Sequence, residues 1–78
     1  MKTNVRKYNN RLKDLRQDKD LSQKEFAKLF YLQPTQYQRY ENGYTDLPLE
    51  WAKKFARYYD VSIDYIAGII DFPEKLHR

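Results

Sequence analysis

Between Leu21 and Gly43 the chain carries two helix signals separated by too few residues for anything but a tight joint. No other feature limits its fold as much. Ser22 stands where an N-cap belongs and Glu25 lies three residues on, the spacing of a capping box in which each side chain satisfies a backbone N–H of the other. Leu21 before the cap and Phe26 at the fourth helical position have the spacing of a hydrophobic staple. Phe26, Leu29 and Phe30 then share one face at i, i+3, i+4, with the small Ala27 beside them where a second helix can approach. Pro34 suits the first turn of a new helix, where its missing N–H costs nothing, and it keeps Gln33 out of the helical region. Gly43 supplies the stop. The segment between is about nine residues, too short to be stable alone, so it must dock on its neighbours.

Stepping 100° per residue around this second helix puts Tyr37, Tyr40 and Glu41 on one side. Thr35, Arg39 and Asn42 fall on the other, flanked by Gln36 and Gln38. That outer face has no aliphatic residue and one formal charge, which is positive. A purely solubilising face more often mixes Glu and Lys. Thr, Gln, Asn and Arg are the side chains that hydrogen-bond base edges and phosphates. The residues alone leave two readings open, contact with DNA or a plain polar surface.

The chain resembles the Cro/Xre type of lambda-repressor-like helix-turn-helix domain. The resemblance rests on Leu21-Ser22-Gln23, Ala27 and Tyr40-Glu41-Asn42-Gly43. It continues in Leu47-Pro48-Leu49-Glu50, Ala56 and Val61-Ser62-Ile63-Asp64-Tyr65-Ile66-Ala67-Gly68, and runs in register over about residues 8–68. It implies an all-α, compact five-helix domain whose helices 2 and 3 form the helix-turn-helix. It also implies a partly buried salt bridge, because Arg16 occupies the place of an arginine that in this family pairs with the glutamate matched by Glu41. Two positions depart from the family pattern. Tyr31 stands where the joint usually holds glycine, and a non-glycine residue in a left-handed conformation costs about 1–2 kcal/mol, so either strain is stored there or the joint is shaped differently; its ring is expected to pack over the core or reach the DNA backbone. Pro34 replaces a residue that often contacts DNA in relatives, so base preference should differ from theirs.

Composition fits a small binding module. Seventy-eight residues make one domain, near the lower size limit for independent folding. There are no cysteines to supply disulfides or thiolate metal ligands, and eight tyrosines point to an aromatic core. The absence of a signal peptide or long apolar run predicts a cytoplasmic protein with no membrane role. The net charge of +4 is uneven: residues 1–43 hold ten Lys/Arg against five Asp/Glu, and residues 44–78 hold five against six. The positive half contains the proposed reading helix, where neutralising phosphates would supply salt-sensitive affinity. Lys53 and Lys54 read more simply as a solvated helix face.

The remainder reads as scaffold within a single domain spanning residues 1–78, with a short N-terminal arm. Val5, Tyr8, Leu12 and Leu15 form the core stripe of a first helix that Asn4, Asn9 or Asn10 could cap. A fourth helix from about Leu47 to Tyr59 buries Trp51, Ala52, Phe55, Ala56 and Tyr59. Ser62 caps a fifth helix that turns Ile63 and Ile66 inward and ends at Gly68. Beyond it, Ile69, Ile70 and Phe72 form an apolar tail that either packs back on the first helix or makes a homodimer contact with a second copy.

The resemblance therefore predicts a sequence-specific transcriptional regulator, a repressor, that binds a double-stranded DNA operator through the major groove with helix 34–42. Thr35, Gln36, Gln38 and Arg39 are the expected base contacts, since arginine can pair bidentately with guanine and glutamine with adenine. Gln23, Gln33, Asn42 and Tyr31 are the expected phosphate contacts, Gln23 being helped by the exposed N–H groups at its helix start. The alternative is an antitoxin-like module that uses the same fold to bind a protein. An enzyme is not expected: the only histidine is His77 in the tail, no carboxylate pair or phosphate loop stands out, and Asp18 and Asp20 flank a turn. Nothing points to a cofactor, a metal or a small-molecule ligand.

Overall fold

The computed structural model describes residues 9–73. Among them the chain forms five helices and no strand: α1 Leu12–Asp18, α2 Gln23–Leu29, α3 Pro34–Glu41, α4 Leu49–Tyr59 and α5 Ile63–Ala67. Leu12, Leu15, Phe26, Ala27, Leu32, Tyr37, Phe55, Ala56, Val61 and Ile66 form one core. Phe26 is its centre. Its ring lies 5.1 Å from Tyr37 and 5.3 Å from Phe55, and stacks on Tyr59 at 5.6 Å and an interplanar angle of 10°. Aromatic pairs at these separations add to area burial, which is how a chain this short without cysteine holds three helices against one another.

The helix starts follow local chemistry. Ser22 Oγ accepts from Glu25 N–H at 3.0 Å while Glu25 Oε1 accepts from Ser22 N–H at 2.8 Å, so both halves of the capping box are made. Ser22's backbone N–H holds the Glu25 carboxyl below its ordinary range. Ser62 Oγ accepts from Tyr65 N–H at 3.1 Å and starts α5. At α1 the N-cap position is Arg11, and Asn10 does the capping chemistry from one residue further out, its Oδ1 accepting from Leu12 N–H at 3.1 Å. Its Nδ2 donates to the Tyr40 carbonyl at 2.8 Å, tying the start of α1 to the end of α3. Val5, Tyr8 and Asn4 lie outside the described residues. Helix α4 begins two residues later than expected, because Leu47 precedes a proline and is kept out of the helical region. Pro48 itself stays extended, and its carbonyl accepts from Trp51 and Ala52.

All five helices stop in the same way. A residue with positive φ (Asp20 57°, Tyr31 58°, Gly43 79°, Asp60 56°, Gly68 83°) follows each helix. The next residue (Leu21, Leu32, Tyr44, Val61 or Ile69) then donates its N–H to the carbonyl five residues back. This is a Schellman closure, which turns an apolar residue back toward the helix it ends. Glycine fills the left-handed position at only two of the five sites. Asp20 and Asp60 tolerate it through a short polar side chain; Tyr31 has no such relief, and its joint stores strain.

Two expectations about this joint are corrected. Tyr31 does not pack over the core: it is 97 % exposed. Leu29 does not share the buried face of Phe26; it is 52 % exposed, because the left-handed turn at Tyr31 carries Leu32 into the core at that end of α2 instead. Since Tyr31 loses no packing on truncation, Tyr31→Gly relieves about 1–2 kcal/mol of strain against about 0.4–1 kcal/mol of added chain entropy. At the middle of both ranges the net gain is about 0.8 kcal/mol, read in calorimetry as a melting temperature higher by roughly 3–6 °C. An unchanged or lower value would mean that the joint is not strained.

Candidate nucleic-acid interface

Helix α3 is amphipathic in an unusual sense, because its inner side is aromatic and ionic rather than aliphatic. Tyr37 and Tyr40 are buried, and Glu41 is 2 % exposed. A lone carboxylate at that depth would be costly, and the fold supplies partners for it. Arg16 from α1 donates Nε to Glu41 Oε1 at 2.8 Å and Nη2 to Oε2 at 3.1 Å, a bidentate pair. Tyr37 Oη donates to Oε1 at 2.8 Å, and Gln23 Nε2 from α2 donates to Oε2 at 2.7 Å. Arg16 Nη1 also donates to the Leu21 carbonyl, just before α2 begins. One carboxylate therefore joins α1, α2 and α3.

The electrostatics follow from this arrangement. Burial pushes the Glu41 carboxyl up, and hydrogen bonds from Arg16, Gln23 and Tyr37 more than offset it, so it sits below the ordinary carboxylate range. The Glu41 hydrogen bond raises the Arg16 guanidinium further, against a smaller lowering by burial. Burial, and then the charge of Glu41, push the Tyr37 phenol far up, so it remains a donor.

The outer side of α3 presents Thr35, Gln36, Gln38 and Arg39, all exposed, with Gln33 exposed before it and Asn42 half-buried at its end. Two of these side chains are held rather than loose. Gln36 Nε2 donates to Tyr40 Oη at 2.8 Å, and Arg39 Nε donates to Thr45 Oγ1 at 3.1 Å. Gln23, half-buried at the start of α2, is held by Glu41, which occupies one hydrogen of its amide nitrogen and leaves the other. Tyr31 lies apart from this face, at the joint. With Lys24, Lys28, Leu29, Leu32, Gln33 and Pro34 it lines an open groove between α2 and α3. Lys54, by contrast, lies 4.5 Å from the centre of the Trp51 ring and covers α4.

Sequence reasoning missed Tyr40 and Thr45 as partners of Gln36 and Arg39. The first is a plain i, i+4 pair and was open to inspection. The second depends on the Schellman closure at Gly43, which folds Tyr44 and Thr45 back so that both N–H groups bond the Arg39 carbonyl, at 3.0 and 3.3 Å.

In the tail, Arg11 Nη2 donates to the Ile70 carbonyl at 3.3 Å and to Asp71 Oδ1 at 2.9 Å, and its guanidinium lies 4.8 Å from the centre of the Tyr65 ring. The tail backbone is thus fastened at the start of α1, yet Ile69 and Phe72 are 74 % and 61 % exposed. Among the described residues, no group of acidic, histidine or cysteine side chains could hold a metal ion. No helix among them is long and apolar enough to cross a membrane.

Two short helices joined at a left-handed turn, the second docked by its inner face and polar on its outer one, define a helix-turn-helix protein. A helix-turn-helix family model matches residues 12–66, which spans all five helices apart from the last residue of α5, and the chain belongs to that family. It is also 36 % identical over 72 residues to the uncharacterized HTH-type transcriptional regulator YobD of Bacillus subtilis (strain 168). That alignment covers 91 % of this chain and 64 % of the relative, so less than two-thirds of the relative's length is matched. No solved structure matches the chain.

Proposed function

We propose that this protein is a cytoplasmic transcriptional regulator, a repressor, that binds double-stranded DNA sequence-specifically by laying α3 in the major groove. The observation that carries the reading is the outer face of α3. Thr35, Gln36, Gln38 and Arg39 are exposed hydrogen-bonding side chains on a helix whose inner face is locked by Tyr37, Tyr40 and Glu41. A rigid helix with an outward row of base-edge partners is what direct readout requires. Membership of a helix-turn-helix family and the likeness to a protein named as a transcriptional regulator support it.

In this reading Thr35, Gln36, Gln38 and Arg39 address base edges, and Gln23, Gln33, Asn42 and Tyr31 address phosphates. Gln23 uses the amide N–H that Glu41 leaves free, since a phosphate oxygen needs a donor. The exposed Lys24 and Lys28 on α2 add positive charge near the joint. Ile69, Ile70 and Phe72 provide the contact of a homodimer that sets two reading helices about one turn of DNA apart.

Selection of bound sites from random duplex DNA, repeated at two salt concentrations, tests the reading. The expected result is a consensus with dyad symmetry, and an affinity that falls steeply with salt as phosphate contacts release counterions. Binding without a consensus would remove the specific-regulator reading. No binding at all would favour a protein partner for the same face.

A further inference from the structure

Two of the outward side chains on α3 are tied back by one nitrogen each to a residue outside the row of expected base contacts. Arg39 Nε donates to Thr45 Oγ1 at 3.1 Å, and Thr45 is itself placed by its N–H bond to the Arg39 carbonyl at 3.3 Å. Gln36 Nε2 donates to Tyr40 Oη at 2.8 Å, and the Tyr40 ring is 5 % exposed. In each case the tether uses one donor and leaves a two-point recognition edge. Arginine with Nε occupied retains its two terminal nitrogens. Glutamine with one N–H occupied retains Oε1 and a second N–H, one acceptor and one donor for base edges.

From this geometry we infer that Thr45 and Tyr40 are positioning residues for base discrimination, holding Arg39 and Gln36 in the orientation in which they read DNA. The inference rests on the DNA-binding reading above. It also fixes how Arg39 approaches a guanine: end-on through its terminal nitrogens, with Nε facing Thr45. The physical gain is pre-organisation, since freezing a long side chain on binding costs roughly a two- to tenfold loss of affinity. That cost is met during folding when the side chain is already held.

The test compares the full chain with Thr45→Val and Tyr40→Phe, which keep shape and remove the tethering oxygen. Affinities are measured for the preferred duplex and for duplexes changed at single base pairs. Thr45→Val is expected to lower discrimination at the base pair read by Arg39 by about two- to tenfold, with Thr45→Ser restoring it. In the Arg39→Ala background it should have no further effect. Tyr40→Phe should act at a different base pair, through Gln36. The salt dependence of binding should be unchanged in both, because no phosphate contact is lost. Equal discrimination by the wild type and both variants would overturn the inference alone. A loss spread evenly over all base pairs, or one that persists in Arg39→Ala, would also overturn it, since that is what a structural role gives. A wild type with no preference for any base pair would overturn the DNA reading and the inference together.

Discussion

Glu41→Ala is expected to destabilise the domain by about 3–5 kcal/mol, the range for removing one partner of a buried ion pair and leaving the other charged and unpaired. Arg16 is 8 % exposed and Glu41 2 %, so solvent screens the pair little. The loss is large against the whole, since a domain of this length has on the order of 4–12 kcal/mol in total. The melting temperature should fall by at least ~10 °C, or the folded state should be lost. Replacing both partners with apolar residues, Arg16→Met with Glu41→Leu, should recover part of that loss, because no charge is then stranded. Recovery should stay incomplete, because Tyr37 and Gln23 would lose their acceptor. A Glu41→Ala variant that melts within a degree or two of wild type would show that the carboxylate does not hold the helices together.

The same group sets an acid limb. Glu41's carboxyl is depressed in the folded state relative to an unfolded value near roughly 4.3. A depressed carboxyl binds fewer protons folded than unfolded, so its contribution is fully present above the unfolded value. It is lost as pH falls through the folded one. Wild type should therefore lose stability on acidification from pH 6 to about pH 3, and Glu41→Gln should lose visibly less over the same interval. Glu25, also depressed, remains in both proteins and cancels in the comparison. Equal acid sensitivity in the two proteins would place the titrating group elsewhere.

How far these features could be read from the sequence differs by kind. Local chemistry was legible: the capping box at Ser22 and Glu25, the proline start at Pro34 and the glycine stops at Gly43 and Gly68 each involve residues within a few positions of one another. The inward placement of Tyr37, Tyr40 and Glu41 followed from helical spacing alone. The pairing of Arg16 with Glu41 spans 25 residues; no spacing rule reaches it, and it was expected only through the family resemblance. What escaped was the backbone at Asp20 and Asp60, where an aspartate takes a left-handed conformation that residue type does not announce. At Tyr31 the family resemblance raised the strained joint, but the core stripe of the helix before it was read from helical spacing without that turn. Without the turn there, Leu29 looks like the core residue of that helix end; with it, Leu32 is. The Thr45 tether to Arg39 was hidden for the same reason, because it exists only once the chain has reversed at Gly43.

In the proposed function the outer face of α3 reads bases. Arg39 is the residue to test, because it is exposed and carries the one formal charge of that face, so its removal should leave the core network intact. The direct measurement is the affinity of wild type and Arg39→Ala for the preferred duplex and for a scrambled duplex of the same length and charge. A bidentate arginine–guanine contact contributes about 1–3 kcal/mol of discrimination. The preferred duplex should therefore be bound about 5- to 150-fold more weakly by the variant. The scrambled one should change only by the small factor expected for one lost positive charge, with the melting temperature unchanged. An equal loss on both duplexes, or none on either, would contradict the claim that Arg39 reads a base.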